Sequence, residues 1–206
     1  MLWSLVGQGL VYIDMQQSAP ENWQWGLTDS GRASLSDQQI NPDDTAGYLA
    51  RLKAMTPEIS EITLMYSEEA VRSYISRCYL ASATMLGVAS EAAFLEMAEA
   101  FGNWLPKSPG EKFLTIIQNP KQNYIAKFTE FRKRVETIKP KLPGELADGM
   151  ALTMDSLLDL LRIYRNDAGH PTGKKISRED AFINLQMFAR YVQKMYLMKK
   201  FFVENP

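Results

Sequence analysis

The sequence predicts a mainly α protein, an antiparallel helical bundle with a small wing-like β-hairpin at its N-terminus. From about residue 48 onward, apolar residues recur at three- and four-residue spacing. The breaks between these segments are short and rich in Pro and Gly, and long helices with short connections pack as antiparallel bundles. The first 40 residues instead carry two short runs of aromatic and β-branched residues. We therefore assign residues 1–45 to the hairpin segment and 46–206 to the bundle.

Composition limits the classes of function. The 206 residues are 46% hydrophobic, which is enough for a core without disulfides. One cysteine, Cys78, excludes an intrachain disulfide, and together with a single histidine it argues against a Cys/His zinc site. No apolar run reaches the roughly 18–20 residues that span a bilayer, and no signal-peptide pattern opens the chain. We expect a cytoplasmic protein with no membrane partner, no metal and no cofactor.

The charge is balanced, with 23 basic and 24 acidic residues and a net charge of −1. Binding to a nucleic acid would therefore require a local basic patch, since the overall field supplies no attraction.

The N-terminal segment contains "GLVYID" (9–14) and "NWQWGLT" (22–28), joined by a polar stretch with a proline. These runs predict the two strands of a hairpin. Their order and the following "LTDSGRASLS" are similar to the wing of a winged helix, but no helix-turn-helix precedes them. A β-appendage on a helical domain is favoured over a native chain that begins further upstream. A DNA-binding regulator is accordingly the least favoured function.

Start signals and periodicity predict the helices. Asp and Thr in "NPDDTAG" (41–47) predict an N-cap, and Ser67 with two acidic residues behind it predicts the start of a long helix that reaches Leu105. Further helices are predicted near 111–118, over 121–138 and over 146–168, and a last one is capped by Ser177. One apolar stripe is predicted along the long helix, formed by Tyr74, Cys78, Ala81, Met85, Val88, Ala92 and Leu95.

The single histidine lies in "RNDAGHPTG" (165–173), five residues after Arg165. On a continuous helix Arg165 and His170 would point about 140° apart. Gly169 and Pro171 end the helix, so His170 leaves the helical path and can return toward Arg165. The competing interpretation is structural, because positive charge at a helix C-terminus contributes about 0.3–1 kcal/mol. Spacing alone favours the structural interpretation.

The residues around Arg165 and His170 match a known pattern in more than their spacing. "YRNDAGHP" and the lead-in helix "CYLASATMLGVASEAAFLEMAEA" resemble the R-(N/D/H)-x3-His signature and the first long helix of the HEPN family, small helical bundles many of which are RNases. The resemblance covers about 67–204 and falls on Arg165, Asn166 and His170. HEPN toxins paired with a nucleotidyltransferase antitoxin carry a modified tyrosine two residues after the histidine. Here that position is Thr172, which puts such regulation in doubt.

The resemblance implies a metal-independent endoribonuclease, in the manner of a toxin or defence effector, with RNA as substrate. Histidine titrates near neutral pH, so His170 would move the proton, while the guanidinium of Arg165 would hold the scissile phosphate. Asn166 would orient the imidazole or the ribose. One histidine does not readily serve as both base and acid in one step. HEPN domains usually dimerise with their motifs facing each other, so a homodimer would combine two Arg/His sets in one cleft.

Two further regions are weaker candidates for substrate binding. Glu91 lies where HEPN proteins often contribute a polar residue to the cleft, although a helical carboxylate in local ion pairs is the favoured interpretation. Arg132 and Lys133 lie in the basic segment 121–141, whose interleaved aromatics Tyr124, Phe128 and Phe131 could stack bases. Core aromatics and a solvated charged face are favoured there.

The alternative function is a non-catalytic HEPN-like module that binds a protein or a nucleotide. An antitoxin or regulatory protein is a candidate partner under either function. The two differ in what His170→Ala does, because only a catalytic histidine is required for RNA cleavage.

Overall fold

The computed structural model describes residues 2–7, 9–14, 23–29, 31–32, 44–148, 150 and 175–205. The chain divides into two compact units, Met1–Ile40 and Asn41–Pro206. The first holds a two-stranded antiparallel sheet and the second is helical. The predicted fold class, a helical bundle with a small β-hairpin, is confirmed.

The first unit contains helix α1 (Leu2–Gly7) and strands β1 (Val11–Asp14) and β2 (Gln24–Leu27). The strands pair antiparallel, with Val11 opposite Leu27 and Asp14 opposite Gln24, as the two β-leaning runs predict. Sequence reasoning missed α1, because six residues are too few to show a helical period. The rings of Trp3 and Trp25 meet edge to face with centroids 5.7 Å apart. Trp3 is nevertheless 65% exposed, so this tryptophan pair is only partly packed.

Up to residue 147, the described part of the second unit is built from helices joined by short connections. The bounds of the described helices are α2 (Thr45–Met55), α3 (Glu61–Ile75), α4 (Tyr79–Trp104), α5 (Lys107–Ile117), α6 (Tyr124–Ile138), a 3-10 turn (Lys139–Lys141), α7 (Gly144–Ala147) and α8 (Arg178–Glu204). The long helix α4 packs against α3, α5 and α8, which makes it the centre of the described bundle.

Side-chain caps fix where several helices begin. The Asp44 carboxylate accepts from the Gly47 amide at the start of α2, and the Asn123 side chain accepts from the Ala126 amide at the start of α6. Ser177 and Asp180 form a capping box at the start of α8. The predicted caps in 41–47 and at Ser177 are therefore confirmed.

The predicted start of the long helix at Ser67 is wrong. Ser60 caps α3, since its hydroxyl accepts from the Thr63 amide at 3.1 Å. Ser67 lies inside α3, where its hydroxyl donates to the Thr63 carbonyl. The single predicted helix is also divided in two, because Arg77 adopts a left-handed conformation (φ 60°) between α3 and α4.

The predicted apolar stripe is wrong as well. Cys78 and Ala81 are exposed, and the remaining α4 members of the stripe are only half-buried. The buried face of α4 contains Ala83, Leu86 and Ala89 instead. Its Ala, Ser and Gly residues let neighbouring helices approach closely, and its larger side chains, Leu86 among them, fill the core.

Aromatic rings fill the core of the described bundle. Phe101 of α4 lies 5.2 Å from Phe113, 5.2 Å from Phe131 and 5.1 Å from Phe202 by ring centroids. Phe94 lies about two turns earlier on α4. Its ring contacts the rings of Tyr124, Phe128 and Phe131 in the same way. These three α6 aromatics are almost fully buried, so the interpretation of them as core residues is confirmed.

The ends of α4 and α8 are tied together. The Trp104 indole Nε1 donates to the Asn205 carbonyl at 2.6 Å. The Trp104 ring also lies 5.5 Å from the Phe202 ring and 6.4 Å from the Phe201 ring. The last turn of α8 is thereby fixed against the C-terminal end of the central helix.

Candidate functional site

The predicted catalytic residues Arg165, Asn166 and His170, and Thr172 beside them, lie outside the described residues. The chain on both sides of them is described. Met150 is 1% exposed, and the Asp148 carbonyl accepts from the Lys194 ammonium of α8 at 3.2 Å. On the other side, Ser177 caps α8. The chain at Asp148 therefore contacts α8, and the chain at Ser177 leads directly into α8.

Glu91 is half-buried on α4. Its charge acts on the hydroxyl of Tyr124 on α6. Burial raises the pKa of Tyr124 well above its ordinary value, and the Glu91 carboxylate raises this pKa further. Glu91 therefore lies partly inside the bundle, where its charge acts on a buried phenol of another helix.

A second tyrosine completes this cluster. Burial raises the pKa of Tyr191 on α8, and the adjacent Tyr124 raises it further. Among the described residues, neither hydroxyl makes a hydrogen bond of good geometry. The cluster of Glu91, Tyr124 and Tyr191 therefore places a carboxylate beside two neutral phenols, where three helices meet.

In the basic segment 121–141, some cationic side chains are held within the bundle and others are exposed to solvent. The Arg134 guanidinium donates to the Glu130 carboxylate at 2.7 Å and to the Pro109 carbonyl at 2.8 Å, and it lies 5.3 Å from the Phe113 ring centroid. Lys127 is only 8% exposed. Because these two side chains are engaged within the bundle, they do not contribute to a surface that attracts phosphate.

The two predicted substrate-binding residues of α6 differ in their setting. Lys133 is exposed, whereas Arg132 is partly buried and interacts within the chain. Lys121 and Lys141, before and after α6, are also exposed. The exposed positive charge of this segment therefore consists mainly of lysines, which bind phosphate as flexible point charges.

Sequence reasoning missed a pocket where the end of α3 meets the first turns of α8. Its volume is about 400 Å³, and its lining contains Tyr74, Arg178, Glu179, Phe182 and Ile183. The Phe182 ring lies 6.5 Å from the Tyr74 ring, and the Arg178 guanidinium lies 6.0 Å from the Tyr74 ring centroid. The apolar residues at 182 and 183 after a capped start are a local signal, but only the fold brings Tyr74 to them.

Within the described ranges, no three His, Cys, Asp or Glu side chains are grouped closely enough to hold a metal ion. None of the helices in these ranges is sufficiently long and apolar to span a bilayer. Comparisons of the chain with protein-family models, with curated proteins and with solved structures found no match.

Proposed function

We propose that this chain is a metal-independent endoribonuclease of the HEPN type, acting in the cytoplasm as a homodimer on RNA. The proposal is carried by one observation, the sequence Arg165-Asn166-x3-His170 followed by Pro171. The helices described on either side of it in the sequence support it, because a long central helix precedes the segment and a capped final helix begins soon after it. No metal ligand set is needed for this chemistry.

The proposed mechanism follows from the residue types. The Arg165 guanidinium presents a planar fork to two oxygens of the scissile phosphate. His170 removes the proton of the attacking ribose 2′-hydroxyl, or protonates the leaving oxygen, because its imidazole titrates near neutral pH. Asn166 orients the imidazole or the ribose. The second proton transfer comes from His170 of the other subunit, so the active unit is the dimer.

The exposed lysines around α6 support an RNA substrate. Lys121, Lys133 and Lys141 place positive charge on the surface of a chain whose net charge is only −1. Contacts of this kind bind a phosphate backbone regardless of sequence and weaken as salt concentration rises. They would bring RNA to the protein and leave the choice of the cleaved bond to another part of the surface.

The first test is RNA cleavage in excess EDTA by the wild-type chain and by His170→Ala. We expect the wild type to cleave a mixed RNA pool and the variant to lose at least about 100-fold in rate, the typical contribution of a general acid or base. Circular dichroism and size-exclusion chromatography must show that both proteins are equally folded and equally dimeric. The specific activity of the wild type should also fall on dilution in parallel with the dimer fraction.

Equal cleavage by both proteins would assign the activity to a contaminant or to other residues and would contradict the proposed role of His170. Absence of cleavage by the wild type over the full range of protein concentration would contradict the enzyme and favour the second candidate.

The second candidate is a non-catalytic module that binds a partner protein, such as an antitoxin or a regulator. It is favoured by apolar side chains left on the surface of the bundle. Ile183 and Met187, one turn apart on α8, are 53% and 39% exposed, and Ile62 and Met65 on α3 are 59% and 51% exposed. In this case His170→Ala would lower the thermal stability and would remove no activity.

A further inference from the structure

We propose that the pocket of Tyr74, Arg178, Glu179, Phe182 and Ile183 binds a guanine base, with the Glu179 carboxylate reading its Watson–Crick edge. This inference rests on the proposed function in one respect, since the guanine would belong to the RNA substrate. The binding event itself is independent of cleavage and is tested separately.

The size and walls of the pocket suit a nucleobase. A volume of about 400 Å³ lies within the range of small-ligand sites, roughly 300–1,000 Å³. Phe182 is 36% exposed, and its ring lies 6.5 Å from the ring of the buried Tyr74. Bases stack on aromatic side chains with about 1–3 kcal/mol per base, whatever the sequence. The aromatic wall therefore explains affinity for a base but no preference among bases.

The charged residues of the pocket supply that preference. A carboxylate accepts hydrogen bonds at two oxygens and donates none. Guanine presents two neighbouring donors, N1–H and the 2-amino group, which match the two oxygens of Glu179. Adenine and cytosine place one amino group beside an acceptor, and uracil places its one N–H between two acceptors. Guanine is thus the base that leaves no acceptor facing the carboxylate.

Arg178 provides the positive charge that a nucleotide requires. Its guanidinium lies at the same pocket, 6.0 Å from the Tyr74 ring centroid. Arg178 also interacts within the chain, and its fixed positive charge attracts the phosphate attached to the bound base. Glu179 thus complements the base of a guanine nucleotide, and Arg178 complements its phosphate.

The position of the pocket along the chain agrees with a substrate site. His170 precedes Ser177, the cap of α8, by seven positions in the sequence. Seven residues extend at most about 25 Å. A base in this pocket is therefore within a few nucleotides of the proposed catalytic histidine, because successive nucleotides of an extended strand are several ångströms apart.

The test is calorimetric titration of the full chain with GMP, IMP and UMP. We expect GMP to bind at least tenfold more tightly than UMP, and IMP, which lacks the 2-amino group, to fall between them. Glu179→Gln should weaken GMP binding at least tenfold and leave UMP unchanged. Glu61→Gln is the matched control, since Glu61 also lies in the first turn of a helix but at the opposite end of α3 from Tyr74.

Equal affinity for GMP and UMP, or GMP binding that survives Glu179→Gln, would overturn the inference. Cleavage of RNA in EDTA without guanine binding would leave the proposed function standing and refute this site. Glu179-dependent GMP binding without cleavage would establish the site and contradict the enzyme.

Discussion

At the scale of single residues, the Tyr196 hydroxyl joins three helices. It donates to the Glu96 carboxylate of α4 at 3.0 Å and accepts from the Ser60 amide at 2.9 Å, just before α3. The Lys199 ammonium donates to the same Glu96 oxygen at 2.7 Å, so the carboxylate has two donors from α8. One phenol thus supplies a hydrogen-bond partner both to the Ser60 amide at the start of α3 and to the Glu96 carboxylate, which is ion-paired with Lys199.

Tyr196→Phe should lower the free energy of unfolding by about 1–3 kcal/mol, because the Ser60 amide and the Glu96 carboxylate each lose a partner while the ring volume is kept. Urea unfolding followed by circular dichroism measures this change. Tyr66→Phe, at a half-exposed tyrosine of α3, is the matched control and should have little effect. Equal destabilisation by both substitutions would show that the network contributes nothing specific.

At the scale of elements, α4 and α5 are held in contact by two glycines. A Cβ placed on Gly110 would lie 2.4 Å from the Gly102 carbonyl oxygen, and a Cβ on Gly102 would lie within 2.7 Å of two side-chain carbons of Leu114. The contact of the Gly110 Cβ is with a backbone oxygen, which cannot move aside by changing a side-chain rotamer. This close approach lets Phe113 reach Phe101 across the connection between the two helices.

Gly110→Ala should therefore lower the free energy of unfolding by about 1–3 kcal/mol, the usual cost of overpacking. Gly144→Ala is its control, since a Cβ on Gly144 meets no atom of the described residues within 4 Å. That substitution should be neutral or stabilising by up to about 1 kcal/mol, because it reduces the freedom of the unfolded chain. Chemical denaturation of both variants gives the comparison, and a loss at Gly144 as large as that at Gly110 would contradict it.

The first residue of a helix could be predicted from the sequence where the capping signal lies within a few residues. The capping box of Ser177 and Asp180 is complete within four residues, and the sequence identifies it. Ser67 was misleading because Ser60 carries the same kind of cap seven residues earlier. The break at Arg77 has no sequence signal, since neither Gly nor Pro marks it and an L-residue such as arginine rarely adopts the left-handed conformation found there.

At the scale of the whole molecule, three buried phenols link stability to alkaline pH. Burial holds the pKa values of Tyr48, Tyr124 and Tyr191 above their ordinary value. Their neutral forms are therefore favoured in the folded chain, and the unfolded chain releases these protons first. The stability they contribute is complete below about pH 10 and is lost as pH rises above it.

We expect the free energy of unfolding to fall above about pH 10, by up to about 1.4 kcal/mol per pH unit for each of the three tyrosines. Denaturation in urea at several pH values between 8 and 11 measures the slope. Tyr48→Phe should reduce that slope by about one tyrosine's share, even though it also removes the hydrogen bond to the Leu185 carbonyl. An unchanged slope in the variant would assign the alkaline loss to other groups.

The candidate site could be predicted only in part. Arg165, Asn166 and His170 are predicted from a pattern that spans only six residues, and they lie outside the described residues. The pocket is different, because Tyr74 and Phe182 are separated by more than a hundred residues and no periodicity relates one helix to another. The cluster of Glu91, Tyr124 and Tyr191 draws on three helices for the same reason. Local chemistry is readable from sequence, whereas these long-range juxtapositions require the fold.

The contact between Trp104 and Asn205 has a spectroscopic consequence. The other three tryptophans, Trp3, Trp23 and Trp25, all belong to the first unit. Replacing those three with phenylalanine leaves a single indole fluorophore in the helical unit, hydrogen-bonded to the end of α8 and surrounded by Phe201 and Phe202. Excited at wavelengths that tyrosine does not absorb, its emission then reports the surroundings of this one indole, so the opening of that corner of the helical unit can be followed in real time.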